Sequence, residues 1–295
     1  MKPQFLRAGA LLAGVVGIGL LFQNCSNARF DNGSQAYDLD GQNSINGAGG
    51  PGDNGGGGGG NGGGTVNVIC DPFDKKNIID PKMGVEGRIY SAGNRLNSAG
   101  CAGGVCTSRD YIAMGQKTNA ALFMSRIFVP TRDFTEGFGA EGKKVVDSNN
   151  NVLSEWFALD LVSNLVLEDS EADGMYQYAV ISDDGATLSA GGTDIIVHEG
   201  EHSPSLKCAN QVTVHKKGES VPFQLTYFQG PRTQISLVLL KRKIVAGQSL
   251  TNCGTSDGYI ADSEVLPAAL KNKGWSVVKP GNLKLANGSN LCATK

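Results

Sequence analysis

Two adjacent acidic residues followed by a glycine have the most specific chemistry in this sequence. Asp183 and Asp184 precede Gly185, and glycine allows the backbone to turn tightly. Neighbouring carboxylates repel each other unless a cation neutralises them, and Ca²⁺ prefers carboxylate oxygens as ligands. The alternative is a structural turn, because Asp also favours turns through hydrogen bonds to its own backbone. These residues therefore indicate either a calcium site or a capped turn.

A second segment, His198-Glu199-Gly200-Glu201-His202, matches the HExxH pattern of zinc proteases. In those enzymes the pattern lies on a helix, where positions i and i+4 share one face. Here residues 194–197 read Asp-Ile-Ile-Val, which is typical of a strand, and a glycine inside a helix costs about 1 kcal/mol. We predict structural or rim roles for the two histidines, with a zinc metalloprotease as the alternative function.

Short apolar runs are the elements that would have to position these segments. Apolar and polar side chains alternate in residues 223–227 (FQLTY) and 212–215 (VTVH), and further apolar runs recur across residues 156–240. Clusters of Gly, Asn and Asp separate the runs. Several short strands at this spacing predict an all-β sandwich or barrel, and no long apolar repeat of helical period precedes the C-terminal tail.

Several motifs together resemble the PA14 domain family. They are the G-x-x-G-x-x-Y opening at residues 84–90, the F-T-x-G-F segment at 134–138, the SDDG segment at 182–185, and the turn ending in G-x-H at 200–202. The resemblance covers residues 84–243, which is more than half of the chain. It implies a two-sheet antiparallel β-sandwich, which we assign to residues 66–243, and the strand spacing predicts the same fold class independently.

The resemblance also implies a function and a set of site residues. Sugar-binding members of the family hold Ca²⁺ through the Asp pair, joined by a cis peptide, and through an Asn in a later loop. The matching residues here are Asp183, Asp184 and Gln229, and Gln carries one methylene more than Asn. Arg232 and Thr233 share the loop of Gln229 and are our candidate ligand-binding residues. The expectation is a binding protein for carbohydrate with an adhesion-type role, not an enzyme.

The N-terminus has the features of an exported lipoprotein. Lys2 and Arg7 precede an uncharged run at residues 8–22, which is shorter than the about 20 apolar residues of a membrane span and typical of a signal peptide. Cys25 follows, which resembles a bacterial lipobox. We predict a signal peptide at residues 1–24, lipidation of Cys25 and, since Ser26 is not Asp, an outer-membrane location with the acyl chains as anchor.

A glycine-rich segment separates this region from the rest of the chain. Residues 26–65 contain 15 glycines in 40 positions and offer little apolar surface to bury, so we predict a disordered tether over residues 25–65. A coil of this length has a root-mean-square reach of roughly 35 Å. The tether would hold the binding domain near the membrane while letting it swing.

The other six cysteines form an even set, which in an exported chain indicates disulfides. Six cysteines allow 15 pairings; we expect Cys101–Cys106, Cys253–Cys292 and Cys70–Cys208, with a zinc site as the alternative. We assign residues 244–295 to a disulfide-bonded appendage that packs on the sandwich.

The balance of acidic and basic residues indicates which classes of partner to expect. The chain has 26 basic and 28 acidic side chains, for a net charge of −2, and nucleic-acid binding needs a concentrated basic face. Nucleic acid is therefore not an expected partner. The expected partners are a glycan and, through the lipid, a membrane. The alternative is a structural or assembly role in the envelope, with another protein as the partner.

Overall fold

The computed structural model of the chain describes residues 67–73, 80–133, 137–139, 144–147, 149–231, 233–254, 260, 265–286 and 290–292. Within these ranges, none of the helices has the length and apolar character needed to cross a membrane. The predicted signal peptide, Cys25 and the tether lie outside the described residues, as do Arg232 and the first three residues of the F-T-x-G-F segment.

The described part of the chain is built mostly from strands. In chain order these are β1 (Asn67–Cys70), β2 (Val85–Ser91), β3 (Gln116–Met124), β4 (Phe128–Asp133), β5 (Phe157–Leu165), β6 (Gly174–Asp183), β7 (Ala186–Ala190), β8 (Thr193–His198), β9 (Ser205–Cys208), β10 (Thr213–His215), β11 (Val221–Gln229), β12 (Gln234–Ile244), β13 (Ser276–Val277) and β14 (Leu283–Lys284). Two short helices, α1 (Ser108–Met114) and α2 (Ala268–Lys271), complete the regular structure, together with single 3₁₀ turns.

The strands form two sheets that enclose one core. The first sheet has the order β1-β3-β2-β5-β11-β7-β8, with β14 also paired to β5. The second has the order β10-β6-β12-β13, with β4 paired to β12 and β9 to β6. The predicted two-sheet sandwich is confirmed. It is not wholly antiparallel, however, because β1 runs parallel to β3.

Alternation along the strands explains which side chains reach the core. In β11, Phe223, Leu225 and Tyr227 point inward, while Gln224 is half-buried, as period-2 side-chain placement requires. Strands β6 and β12 are instead buried on both faces. The C-terminal segment covers their outer face: Ile181 and Leu240 pack in a second apolar cluster with C-terminal side chains.

The segment of residues 244–295 does more than lie against the sandwich. Strand β13 pairs with β12 in the second sheet, and β14 pairs with β5 in the first. Arg242 fixes its course by donating to the carbonyls of Ser249 and Lys273 at 3.0 and 3.3 Å, and its guanidinium lies 4.7 Å from the ring centroid of Trp275. The segment therefore contributes strands to both sheets.

The disulfide pairing differs in part from our expectation. Cys101–Cys106 forms as predicted, but the other two bonds are Cys70–Cys292 and Cys208–Cys253, not Cys253–Cys292 and Cys70–Cys208. The reason is the route of the chain ends. Cys70 on β1 and Cys292 near the C-terminus pack in one cluster on the outside of β3, whereas Cys208 and Cys253 pack together outside the second sheet.

Candidate functional site

The Asp183–Asp184 turn lies where β6 ends and β7 begins. Asp183 is the last residue of β6, and the peptide bond between Asp183 and Asp184 is cis. Gly185 follows in a crowded position, where a Cβ atom would lie 2.4 Å from Phe228 Cε1 and 2.8 Å from Glu199 Oε2. Only glycine fits here without displacing its neighbours. The close packing around position 185 therefore explains why the two aspartates are followed by glycine.

The carboxylate of Asp184 is held by two backbone amides from two different loops. The amide of His202, in the loop after β8, donates to Oδ1 at 2.9 Å. The amide of Gly230, in the loop after β11, donates to Oδ2 at 2.7 Å. Burial raises the pKa of Asp184 to about 6, although these two hydrogen bonds act to lower it. The two hydrogen bonds therefore fix the orientation of the side chain, but burial still destabilises its ionised form.

The carboxylate of Asp183 lacks such support. Its side chain is only 2% exposed, and Oδ2 is buried with no hydrogen-bond partner among the described residues. Burial raises the pKa of Asp183 to about 8, and the charge of Asp184 adds to the increase. A buried carboxylate oxygen without a donor is costly in a folded protein, so this atom is one at which an added cation or donor would stabilise the fold.

Gln229 lies at the same end of the sandwich, as the last residue of β11. It is completely buried, and its amide oxygen accepts a hydrogen bond from the Tyr227 hydroxyl. The same hydroxyl lies 2.5 Å from the backbone carbonyl oxygen of Asp183, so its single proton is shared between two acceptors. The Gln229 amide nitrogen donates to the carbonyl of Gln234 at 3.1 Å. The structure thus brings Gln229 to the Asp pair, but its side chain is engaged in bracing the turn.

The donor set at this turn can be judged against a hard cation. Asp183 and Asp184 supply carboxylate oxygens, the kind of ligand that Ca²⁺ selects, and the orphaned Oδ2 of Asp183 is a free acceptor. Asp183 Oδ2 therefore fits Ca²⁺ directly, whereas each Asp184 oxygen and the Gln229 amide oxygen already accept one hydrogen bond and keep one lone pair. Among the described residues, no group of three or more His, Cys, Asp or Glu side chains is arranged to hold a metal ion, so other ligands would have to be amide, backbone, water or ligand oxygens.

The HExxH match has a structural explanation. His198 ends strand β8 and Gly200 has a φ of +98°, so the two histidines are not one helical turn apart. Their rings stack instead, with centroids 4.1 Å apart. Burial, together with the neighbouring His202 and Lys207, lowers the pKa of His198 to about 4. The zinc-protease alternative lacks the helix on which its chemistry depends.

Glu199, the would-be catalytic glutamate, is fully engaged elsewhere. Its carboxylate accepts hydrogen bonds from the amide and hydroxyl of Ser108 at 2.7 and 2.6 Å and from the Thr187 hydroxyl at 2.5 Å. Ser108 is the first residue of α1. Glu199 therefore fastens the start of α1 to the sheet, which is a structural role.

Thr233, a predicted ligand-binding residue, lies near the same turn. So do three residues whose roles the sequence did not predict. Thr233 is exposed in the loop between β11 and β12, while Arg232 is outside the described residues. The amides of His202 and Gly230 were not predicted, because a backbone donor leaves no side-chain signature. Tyr227 was predicted only as a core residue of its strand, since nothing in the sequence indicates where its hydroxyl points.

Among known proteins, similarity to this chain is found in solved structures. No protein-family model matches the sequence, and no curated protein matches it. Among solved structures, the PA14 domain of the antifreeze protein MpAFP is similar, with 12% identity, a TM-score of 0.45, and coverage of 72% of this chain and 96% of that chain.

Two adhesin domains are also similar. The PA14 sugar-binding domain from an RTX adhesin has 14% identity and a TM-score of 0.39, covering 70% of this chain and 99% of that one. The epithelial adhesin 6 A domain from Candida glabrata, solved with Galb1-3GlcNAc, has 13% identity and a TM-score of 0.37, covering 61% and 87%. In this chain the SDDG segment lies at the turn between β6 and β7.

Proposed function

We propose that this domain binds glycans through a Ca²⁺ ion held by Asp183 and Asp184. The observation that carries the proposal is the buried, unpaired Oδ2 of Asp183 beside a second buried carboxylate. Both pKa values are raised by burial, so the ionised pair needs a cation close by. A divalent hard ion supplies that charge and accepts carboxylate oxygens in flexible geometry.

The glycan part of the proposal rests on the chemistry of calcium and on the resemblance of the motifs. Ca²⁺ takes six to eight oxygen ligands, and two carboxylates leave coordination positions that sugar hydroxyls can fill. The turn lies among loops at one end of the sandwich, where Thr233 and Glu201 are exposed at the rim. Gln229 serves in this proposal to brace the turn through Tyr227, or to lend its amide oxygen as a further ligand.

The N-terminal features extend the proposal to a location. A lipid on Cys25 would anchor the chain to the outer membrane, and the glycine-rich tether would let the domain search for surface glycans. Tethering raises the effective concentration of a weak site near its target, so modest affinity is enough for adhesion. The lipid is tested by mass spectrometry of the mature chain, where an unmodified Cys25 would rule out the anchor.

Calorimetric titration of the full-length chain with Ca²⁺ tests the site directly. Extracellular calcium modules have dissociation constants of about 0.1–1 mM, and we expect saturable binding in this range. Asp183→Asn should abolish it. Asp147→Asn is the matched control, because Asp147 also lies in a turn but its carboxylate is satisfied by Asn149 and Asn151.

The glycan step is tested on an immobilised glycan array. Binding that is present with Ca²⁺ and lost in EDTA, and also lost in Asp183→Asn, supports the proposal. Calcium binding without any glycan binding would favour the alternative in which the domain packs against another envelope protein. No calcium binding at about 10 mM, well above the usual range for such modules, would refute the metal site.

A further inference from the structure

The HExxH segment has a role that neither the protease pattern nor the calcium proposal assigns. It belongs to the β8–β9 loop, which we define as residues 199–204. This loop contributes the His202 amide, one of the two donors that orient the Asp184 carboxylate. If the loop moved, Asp184 would lose half of its hydrogen-bonded support. The question is therefore what holds this loop in place.

On the inner side, the two histidines hold the loop. The rings of His198 and His202 stack, and the Ser205 hydroxyl lies 2.8 Å from His198 Nε2 and 3.4 Å from His202 Nδ1. His202 Nδ1 lies 3.0 Å from the backbone carbonyl of Ser203. A carbonyl can only accept, so Nδ1 carries the proton and the tautomer is fixed by the loop's own backbone.

On the outer side, an ion pair holds the loop. Arg95 Nε lies 2.8 Å from Glu201 Oε1, and Nη2 lies 3.0 Å from Oε2, so the guanidinium meets the carboxylate in a two-point contact. Glu201 is adjacent in sequence to His202. The Arg95 side chain is 67% exposed and that of Glu201 is 30% exposed.

Exposed ion pairs usually contribute little, because ordering two long side chains offsets the attraction. Arg95, however, extends from a segment that is itself fastened. The amide of Leu96 contacts the Tyr111 hydroxyl at 3.5 Å, and the Tyr111 ring stacks on Phe228 at 4.5 Å between centroids. The disulfide Cys101–Cys106 closes the loop that follows. The ion pair therefore joins two braced backbones, so it restrains the loop directly.

We infer that Arg95 and Glu201 are positioning residues that clamp the β8–β9 loop, so that the His202 amide holds Asp184 ready for its ligand. The clamp positions the loop through His202. Because the Glu201 charge also acts on Asp184, Arg95→Gln, which keeps that charge, is the cleaner test of the clamp. The consequence for calcium affinity rests on the proposed function, but the effect on the loop does not. Breaking the clamp should loosen the loop more than it lowers global stability.

The test compares Glu201→Gln and Arg95→Gln with the charge-swapped double variant Arg95→Glu/Glu201→Arg in the full-length chain. The matched control is Asp194→Asn. Asp194 lies in β8 and also forms a two-point ion pair with Arg109, at 2.6 and 2.7 Å, but it lies outside the loop of residues 199–204. The measurements are amide hydrogen exchange at residues 199–203 without calcium, and calorimetric calcium titration.

We expect both single variants to speed exchange at the His202 amide and to weaken calcium binding by about two- to fivefold, the range that corresponds to an ordered surface ion pair. The swapped variant should restore both, and Asp194→Asn should change neither. Unchanged exchange at His202 in the single variants, or equal effects in Asp194→Asn, would overturn the clamp. A wild-type chain that fails to bind calcium would refute the proposed function, and the exchange data would still decide the clamp.

Discussion

Two acidic turns in this protein use aspartate in opposite ways. In the turn of residues 146–152, closed by a bridge between Val146 and Val152, Asp147 accepts hydrogen bonds from the amides of Asn149 and Asn151 at 2.8 and 2.9 Å. The Asn151 side-chain amide donates to its other oxygen at 3.0 Å. In the β6–β7 turn, Asp183 is buried and its Oδ2 has no such donor within the described structure.

The pKa directions follow this difference. For Asp147, slight desolvation is outweighed by the hydrogen bonds from Asn151 and Asn149, which lower its pKa. For Asp183, burial and the adjacent Asp184 raise the pKa to about 8. A carboxylate that supports its own turn is stabilised in the charged form, whereas a buried carboxylate without a donor is destabilised in it. Burial without a donor, rather than acidity in a turn, distinguishes the candidate site.

The largest effect expected from a single substitution in the β6–β7 turn is that of Gly185→Ala. The new methyl group would meet Phe228 and Glu199 at 2.4 and 2.8 Å, and overpacking of this kind costs about 1–3 kcal/mol. Denaturant unfolding measures it. Gly100→Ala is the control, because a Cβ there meets nothing within 4 Å. Equal stability of the two variants would show that the turn is not tightly packed.

The two aspartates should respond to neutralisation with opposite signs. Asp147→Ala removes the acceptor for Asn149 and Asn151 and should lower the free energy of unfolding by about 0.5–1.5 kcal/mol. Asp183→Asn removes a buried charge that has no donor, so without calcium it should raise the melting temperature at pH 8 by a few degrees, roughly the shift that 1 kcal/mol produces. Thermal unfolding in EDTA measures both. Destabilisation by Asp183→Asn in EDTA would show that Asp183, like Asp147, stabilises its own turn.

Most of the fold could be predicted from the sequence because the residue patterns that indicate strands and turns are local. Period-2 alternation in β11 and the turn residues between strands follow from side-chain placement on a pleated sheet. The SDDG segment lies in the turn between β6 and β7, a position that the local preference of Asp and Gly for turns also favours. The parallel pairing of β1 with β3 was not accessible, because a four-residue strand at the edge of a sheet has no pattern that fixes its direction.

Long-range partnerships within the site could not be predicted. Sequence gave no reason for Cys70 to meet Cys292, 222 residues away, since that contact depends on how both chain ends cross the outside of β3. Gln229 is similar: its position beside the Asp pair was predicted, but the engagement of its oxygen by Tyr227 depends on side-chain packing. Backbone donors such as Gly230 are invisible to any pattern of residue types.

The pH dependence of stability sharpens the comparison between the two turns. Asp183 has a folded pKa of about 8 and Asp184 of about 6, both above the ordinary value of 3.8. The folded state therefore holds protons that the unfolded state has released, and stability is lost as pH rises from about 4 towards 8. Asp147, whose pKa is lowered, contributes stability that is lost only as the pH falls below its ordinary pKa.

Melting temperatures between pH 5 and pH 8.5 in EDTA measure this dependence. Asp183→Asn should flatten the decline with rising pH, and excess Ca²⁺ should reverse it by binding the ionised pair. Asp147→Asn should leave the decline unchanged. A wild-type profile that rises steadily from pH 5 to 8.5 would contradict the raised pKa values.

The smallest effect on stability is expected at Thr233. This side chain is exposed beside the candidate site, and surface substitutions away from special features change stability by no more than about 0.5 kcal/mol. Thr233→Ala should therefore leave both unfolding and calcium affinity unchanged. If Thr233 contacts the ligand, glycan affinity alone should fall, by about two- to fivefold for the loss of one hydrogen bond. Normal glycan binding by the variant would show that Thr233 does not contact the ligand. Loss of calcium binding would show that the loop after β11 contributes to the cation site through Thr233 as well as through the Gly230 amide.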